Sequence, residues 1–493
     1  MKLHELLRDV PVRAIEGNDD VEVTSVVADS RLVKQGALFV AIPGTQKDGT
    51  AFIGQAIEKG AVAIVTSSAR ITENGQRTTI TVDDPREALA VIASNFHGRP
   101  AAQLELVGVT GTSGKTTTTK MLESIFDAGD TPVGLIGTIE YRAGNERLSA
   151  DRTTPDALVL QEWFAKMRDA NVRYAVMEVS SHALALKRTH GVHFAAAVFT
   201  NLSQDHFDFH KDFEDYFAAK RILFDQIDRT KPSAVVNIDD EYGRRLADDL
   251  DTAAVTFGRT AEAMIRPSED FEISVRGLHG IVHTPAGDVR VESKMLGQPN
   301  LYNWMGAIGA ALAVGVPIAT IEAGIRNVAS VRGRFEYVES EGGPTVIVDY
   351  AHKPDALDKL LHAVRGLAGE RKLTLLFGCG GDRDKEKRPM MGAIAARLAD
   401  YTILTSDNPR SEKPDAILDD IERGMGGAQY TRIADRREAI NRTIAEAGDD
   451  DVIVIAGKGH ESYQVVGDQV IHFDDREEAE LALRNRNSKS VSI

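Results

Sequence analysis

The sequence is short of cysteine, of positive charge and of long apolar runs. Cys379 is the only cysteine among 493 residues, so no internal disulfide can form and a reducing compartment is unopposed. Lys and Arg number 58 against 74 Asp and Glu, a net charge of −16. General nucleic-acid binding draws its affinity from clustered Lys and Arg, so no nucleic-acid partner is expected, and any phosphate must be held by local geometry. No stretch approaches the roughly 20 apolar residues of a membrane span. The first residues, MKLHELLRDVPVRAIEGNDD, carry no long apolar run after their basic residues, and a cytoplasmic protein without a membrane partner is expected. There is no short repeat, and no low-complexity tract apart from the tail RNRNSKSVSI.

What is present is ordinary globular composition, 42% hydrophobic and 27% charged, in a chain too long for one core, so about three domains are expected. Residues 1–97 alternate short β-like runs (VEVTSVVADS, GALFVAIPG, AVAIVTS, TTITVDD) with helical ones (FIGQAIEKGA, PREALAVIASNF), a small α/β domain. After the link HGRPAAQ come apolar runs that end in polar clusters: LELVGVTG, YAVMEVSSH, AAAVFTNLSQDH and SAVVNIDD, then TVIVDYAHKPD, LTLLFGCGGDRD, YTILTSDNPR and DVIVIAGKGHE. Continuous apolar runs mark buried parallel strands, and ligands of such sheets bind outside the strands' carboxyl ends. The fold class is therefore α/β in three domains. A central P-loop-type parallel-sheet domain spans 98–332, and a C-terminal Rossmann-like domain spans 333–493, with the boundary in VRGRF around Arg332 to Phe335.

The sharpest motif is TGTSGKTTTTKMLESIF after strand LELVGV. Gly108, Gly111 and Gly114 permit a tight loop, and the backbone N–H groups of Gly111, Thr112, Ser113 and Gly114 with the following helix N-terminus would face an anion. Lys115 would reach terminal phosphates, and Thr116, followed by Thr117, would offer a hydroxyl to Mg²⁺. The spacing is a variant, with five residues between Gly108 and the Gly-Lys pair and Val109 in the expected glycine's place. In FEDYFAAKRILFDQI, Phe213, Phe217, Lys220, Phe224 and Ile227 share one helix face. An ammonium amid that face is costly unless partnered, deprotonated or chemically altered; a stem that packs while the head snorkels outward is the alternative. Glu178 in VMEVSSH suits Mg²⁺, whereas His206 in NLSQDHFDFH would be an unusual ligand. Each is open to a structural role. Thr153, Thr154 and Ser180 are hydroxyl donors suited to phosphate or sugar oxygens, or simply turn formers.

Together TGTSGKTT, MEVSSH, NLSQDHFDFH, the AAK of Lys220, DYAHKPD, GCGGDRDKEKRP, SDNPR and GKGHE resemble the Mur ligase family in order and spacing, and ADSRLVKQGALFVAIPGTQKDG resembles its uridine-nucleotide domain. The resemblance implies a monomeric ATP-dependent amide-bond-forming ligase of peptidoglycan synthesis with Mg²⁺ as cofactor. Its substrates would be ATP, UDP-N-acetylmuramoyl-L-alanyl-D-glutamate and meso-2,6-diaminopimelate, joined through an acyl phosphate. Lys115, Glu178, His206 and Lys220 would be the catalytic set, with Lys220 carbamylated as in the family and joining Thr116, Glu178 and His206 around the metal. Ser30 and Thr45, Gln46 and Lys47 would touch the uridine nucleotide. Thr153, Thr154, Ser180 and Arg188, with Lys220, would hold the diphosphate and muramoyl peptide. Asn303, Asp349 and His352 match places near the nucleotide, with helix packing an equal reading of Asn303. Arg383, Asp407, Asn408, Pro409, Arg410, Gly457 and Glu461 match the amino-acid pocket, Arg410 receiving the distal carboxylate and Glu461 the distal ammonium; a turn cap, or a pair with Glu412, is the alternative for Arg410. Departures are Lys353, Arg332 and Arg152, where threonine, proline and asparagine are common. A folylpolyglutamate-synthetase-like ligase would share the loop but not need the ADSR domain; a motor or switch NTPase would leave Lys220, SDNPR and GKGHE unexplained.

Overall fold

The apolar runs become strands. In the computed structural model, which describes residues 1–44, 48–67, 77–250, 254–274, 276–338 and 342–490, the run LELVGVTG forms strand Glu105–Thr110, YAVME forms Tyr174–Glu178, and the runs at 196, 234, 345, 373, 401 and 452 each open a strand. By compactness the chain divides into two units, Met1–Arg266 with Met305–Gly324, and Pro267–Trp304 with Ile325–Ile493. Among the described residues no helix is long and apolar enough to cross a membrane.

The first unit holds a five-stranded and an eight-stranded sheet. In the smaller, Thr78–Val82, Ala63–Thr66, Ala37–Val40 and Ser25–Val27 pair in parallel, and Val12–Glu16 closes one edge antiparallel. Helix Pro85–Phe96 covers it, started by Asp84, whose side chain accepts from Arg86 N, with Pro85 at the first turn, where a missing N–H costs nothing. Leu6, Leu38, Val40, Ile80 and Ile92 fill its core. In the larger sheet Glu105–Thr110 is central, flanked in parallel by Tyr174–Glu178 and Ala196–Phe199. The register pairs Val109 with both Glu178 and Val198, so the segments after these strands leave the sheet side by side. Trp163, Phe164, Phe199, Phe217 and Phe224 pack beneath; burying a side chain of this size contributes about 1.5–3 kcal/mol.

The second unit repeats the device. Thr345–Asp349, Val452–Ala456, Leu373–Phe377, Tyr401–Leu404 and Tyr430–Arg432 are parallel in that order, with Glu336–Val338 antiparallel at the edge. Asp349 and Phe377 both pair with Ala456, and Phe377 with Leu404, so DYAH, GCGG, SDNPR and GKGHE emerge at one sheet end. Two short polar hairpins are absent from the apolar pattern. Glu140–Ala143 with Glu146–Ser149 turns at Gly144 (φ 59°), and Tyr463–Val466 with Gln469–His472 follows GKGHE.

Candidate active site

The phosphate loop is held in shape before any ligand contact. Gly111 adopts φ 146°, and a Cβ there would lie 1.9 Å from Thr200 Oγ1, so only glycine fits the closest approach of loop to neighbour. Gly114, at φ 87°, caps helix Lys115–Asp127. The segment after the adjacent strand fastens the loop. Thr200 Oγ1 donates to Ser113 O (2.6 Å), Thr112 N donates to Asn201 O (2.9 Å), and Ser113 N donates to Asn201 Oδ1 (3.0 Å). Lys115 Nζ donates to Gly111 O and Thr112 O at 2.9 and 3.0 Å, keeping its ammonium over the loop. Thr116 Oγ1 donates to Glu178 Oε2 at 2.9 Å. Thr117 is buried in the helix's first turn.

Glu178 is buried and fully engaged. Thr138 N and Oγ1 donate to its two oxygens at 2.7 and 3.0 Å, and Thr138 Oγ1 meets Thr153 Oγ1 at 3.0 Å. Thr154 Oγ1 donates to Glu178 O (2.8 Å) and accepts from Ser180 N (3.1 Å). Ser180 caps the short helix Ser181–Ala185 by accepting from Ala183 N. Arg188 donates to Thr154 O at 2.8 Å, its basicity lowered by burial and by Arg152 nearby. Thr153, Thr154, Ser180 and Arg188 thus form one hydrogen-bonded network with Glu178. Ser30 stands apart, its hydroxyl donating to Gln55 Oε1 at 2.6 Å; Thr45, Gln46 and Lys47 lie outside the described residues.

Lys220 does not snorkel. It is 1% exposed, its Nζ donates to Gly111 O at 2.7 Å, and it lies 4.3 Å from the Tyr216 ring centre. Burial, reinforced by the Lys115 charge, pushes its pKa well below the usual lysine range, with Asp205 acting the other way. Tyr216, unmarked in the sequence, ties the cluster together. Its hydroxyl meets Thr112 Oγ1 at 3.2 Å, and its ring packs against His206 and His210. His206 takes φ 58° and its Nε2 lies 3.4 Å from Asp205 Oδ2. Thr116 and Glu178 are therefore in direct contact, while Lys220 and His206 join the loop through Gly111 and Tyr216.

In the second unit Asp349 accepts from Phe335 N (2.7 Å) and Ala351 N (2.8 Å), and burial raises its pKa. His352 Nδ1 faces Tyr350 O at 2.8 Å, so it is the protonated nitrogen, and burial pushes the ring's pKa down to about 4. The linker's Arg334 lies over the Tyr350 ring (4.9 Å). Asn303 Nδ2 donates to Asn300 Oδ1 within its own helix. Asn408 Nδ2 donates to Glu461 Oε2 at 2.8 Å. A Cβ on Gly457 (φ 118°) would approach Asp407 Oδ2 to 3.2 Å, and Pro409 O closes on Gly381. Arg383 is exposed. Arg410 takes φ 52°, its backbone N donates to Val465 O and its guanidinium to Gly381 O at 2.8 Å. It does not pair with Glu412, which belongs to Arg388 and Lys385.

Three family models cover most of this chain. The Mur ligase family catalytic domain matches residues 22–97, the Mur ligase middle domain 109–311, and the Mur ligase glutamate ligase domain 333–459. Proteins named UDP-N-acetylmuramoyl-L-alanyl-D-glutamate--2,6-diaminopimelate ligase are similar over nearly the whole length. That of Gloeobacter violaceus is 46% identical over 99% of both chains, and that of Bacillus cereus is 44% identical over 99% of both. A solved structure of an enzyme of that name superposes with TM-score 0.72 at 30% identity, covering 99% of each chain. The chain belongs to the Mur ligase family.

Three features of this Mur ligase escaped the motif reading: Asn201 and Thr138, which brace the loop and Glu178, and Tyr216. Each is a single polar residue whose partner lies far off in sequence. The donor set beside the loop, a Thr116 hydroxyl and a Glu178 carboxylate, is of hard oxygens. Among the described residues no group of three or more His, Cys, Asp or Glu side chains is arranged around a cation. That chemistry fits Mg²⁺, which keeps waters and substrate phosphates as ligands, better than a soft metal held in a protein cage.

Proposed function

We propose that this Mur ligase joins meso-2,6-diaminopimelate to UDP-N-acetylmuramoyl-L-alanyl-D-glutamate with hydrolysis of ATP to ADP and phosphate, in cytoplasmic peptidoglycan precursor synthesis, as a monomer. The observation that carries this is the full-length likeness, at 44–46% identity, to enzymes of that name, with Arg410 partly buried at the end of the buried segment 402–409. The working division is 1–97 for the uridine nucleotide, 98–332 for ATP and 333–493 for the amino acid; the five-, eight- and six-stranded sheets fall one to each, and 98–332 also holds a four-stranded sheet.

The chemistry follows from the residues. A glutamyl carboxylate oxygen attacks the terminal phosphorus of ATP and ADP departs. The free amine of the incoming amino acid then attacks the acyl carbon, and the tetrahedral intermediate expels phosphate and a proton. Lys115 and the loop N–H groups offset the charge that develops on the transferring phosphoryl group, and positioning does most of the work. Bound Mg²⁺ would supply charge neutralisation across the phosphate oxygens, held from Thr116 and Glu178. Lys220, buried beside the loop with its basicity lowered, fits a carbamate: in its neutral form the amine adds CO₂ and loses a proton, turning a misplaced base into an oxygen-bearing anion. Thr153, Thr154, Ser180 and Arg188 would hold the acceptor. Arg410 suits a carboxylate fork to fork, and Glu461 the neighbouring ammonium. The test is ATP, Mg²⁺, the UDP-muramoyl dipeptide and a panel of amino acids, with products weighed by mass spectrometry. A product heavier by diaminopimelate less water is expected; ATP turnover without acceptor, or no adduct with any amino acid, would sink the assignment.

A further inference from the structure

Lys458, in GKGHE, is a fully buried ammonium to which the reaction as described gives no task. Its Nζ donates to Asn408 Oδ1 at 3.2 Å and to Glu461 Oε2 at 3.3 Å, and lies 3.9 Å from Asp407 Oδ1. Asn408 Oδ1 also accepts from Val465 N at 2.9 Å. Two donors at that oxygen leave the amide one orientation, with Nδ2 turned to Glu461 Oε2. Oε2 is thereby committed to Lys458 and Asn408, while the Glu461 side chain stays partly exposed. Arg410, Arg383 and Asn408 converge at Gly380, where a Cβ would lie 2.9 Å from Arg410 Nη1, 3.7 Å from Arg383 Cγ and 3.9 Å from Asn408 O.

We propose that Lys458 is a positioning residue for the amino-acid substrate: it locks Glu461 and Asn408 so that the other oxygen of Glu461 meets the ammonium at the distal centre of a diamino diacid. This rests on the assignment of diaminopimelate above. The choice of lysine supports it. Desolvating an ammonium is costly, and an apolar side chain of similar volume often serves stability equally well or better. A methionine would fill the space, so the charge is retained for what it does to its neighbours. Lysine also offsets one of two converging carboxylates, so the pocket keeps a single net acid beside Arg410 for a zwitterionic centre.

The test compares meso-2,6-diaminopimelate with 2-aminopimelate, which keeps the distal carboxylate and lacks the distal amine, in the full-length protein, in K458M, in E461Q and in the double variant. K458M should raise KM for diaminopimelate about 10- to 100-fold, the loss expected when a hydrogen bond to a charged group is misplaced. Its kcat, and its KM for 2-aminopimelate, should stay within about threefold of the parent. The double variant should be no worse than E461Q, because both changes remove one interaction. An unchanged KM ratio for the two amino acids in K458M, or additive losses in the double variant, overturns the proposal. If K458M does not fold, K458Q is read by the same ratio. A parent protein that makes no diaminopimelate adduct would instead overturn the assignment of the reaction.

Discussion

Asp475→Asn isolates the contribution of one buried ion pair to the amino-acid side of the site. Arg436 and Asp475 are both fully buried, joined by Nε to Oδ1 and Nη2 to Oδ2, each at 2.7 Å. The guanidinium also donates to Ser406 O at 3.2 Å and Ala456 O at 3.0 Å, the residues just before Asp407 and Gly457. The carboxamide keeps the shape and removes the charge, leaving a buried arginine with only the more distant charges of Asp407 and Glu461. Breaking a buried pair from one side costs about 3–5 kcal/mol, and the remaining amide oxygen places the estimate at the lower end. For a unit of about 150–250 residues, 1 kcal/mol moves Tm by roughly 2–4 °C, so a fall of about 6–12 °C is expected. Thermal unfolding of the full chain measures it, and hydrogen exchange locates it in Tyr401–Leu404 and Val452–Ala456. KM for the amino acid should rise alongside, since both carbonyls anchor the loops that hold it. A Tm within about 2 °C of the parent would mean that the pair is worth under about 1 kcal/mol and would refute the reasoning.

Lys115→Ala should lower kcat by about 10²–10³-fold or more, the cost of removing one preorganised charge at a developing anion, with the melting curve unchanged; near-normal turnover would remove the phosphate-loop reading. Lys220→Ala should be nearly inactive and partly restored by a small carboxylate that fills the gap, whereas failure of rescue together with an unmodified mass for the parent's Lys220 peptide under bicarbonate would reject the carbamate. Arg410→Ala should erase much of a preference for diaminopimelate over lysine that can reach about 10⁴–10⁵-fold when a site is built around a bound group; an unchanged preference would overturn its role. His352, held neutral with its pKa down at about 4 against an ordinary 6.5, binds its proton more readily unfolded, so stability is complete above 6.5 and falls as pH drops from there toward 4. His352→Asn should flatten that slope in melts at pH 7, 6, 5 and 4, and an equal slope in both proteins would count against it.

The framework of both sites was legible because apolar continuity ending in polar clusters is a local signal. Glu178, the phosphate loop, SDNPR and GKGHE all sit at strand ends where the pattern put them. Burial of Lys220 was legible from helical spacing, but its direction was not, because the acceptor is a carbonyl 109 residues away. Arg410's partner was open for the same reason: Glu412 is near in sequence, yet the turn at φ 52° points the guanidinium to Gly381 and leaves Glu412 to Arg388. The polar hairpins left little trace, since each of their strands runs only four residues, too short for an alternation to stand out.

Two buried lysines show how far identity falls short of environment. Lys220 faces a carbonyl, an aromatic ring and the repelling charge of Lys115. Burial and the Lys115 charge lower its basicity, against the more modest pull of Asp205. Lys458 faces Glu461 and Asp407, with Asn408 between; it is an ion-pair partner, and its use lies in orienting others. Glu461 is only 3 residues from Lys458, and the i, i+3 spacing is visible in GKGHE, but Asn408 is 50 residues away and arrives only because the strands Tyr401–Leu404 and Val452–Ala456 both flank Leu373–Phe377. The chemistry of each lysine is therefore set by sheet order, through the loops that order brings to one end.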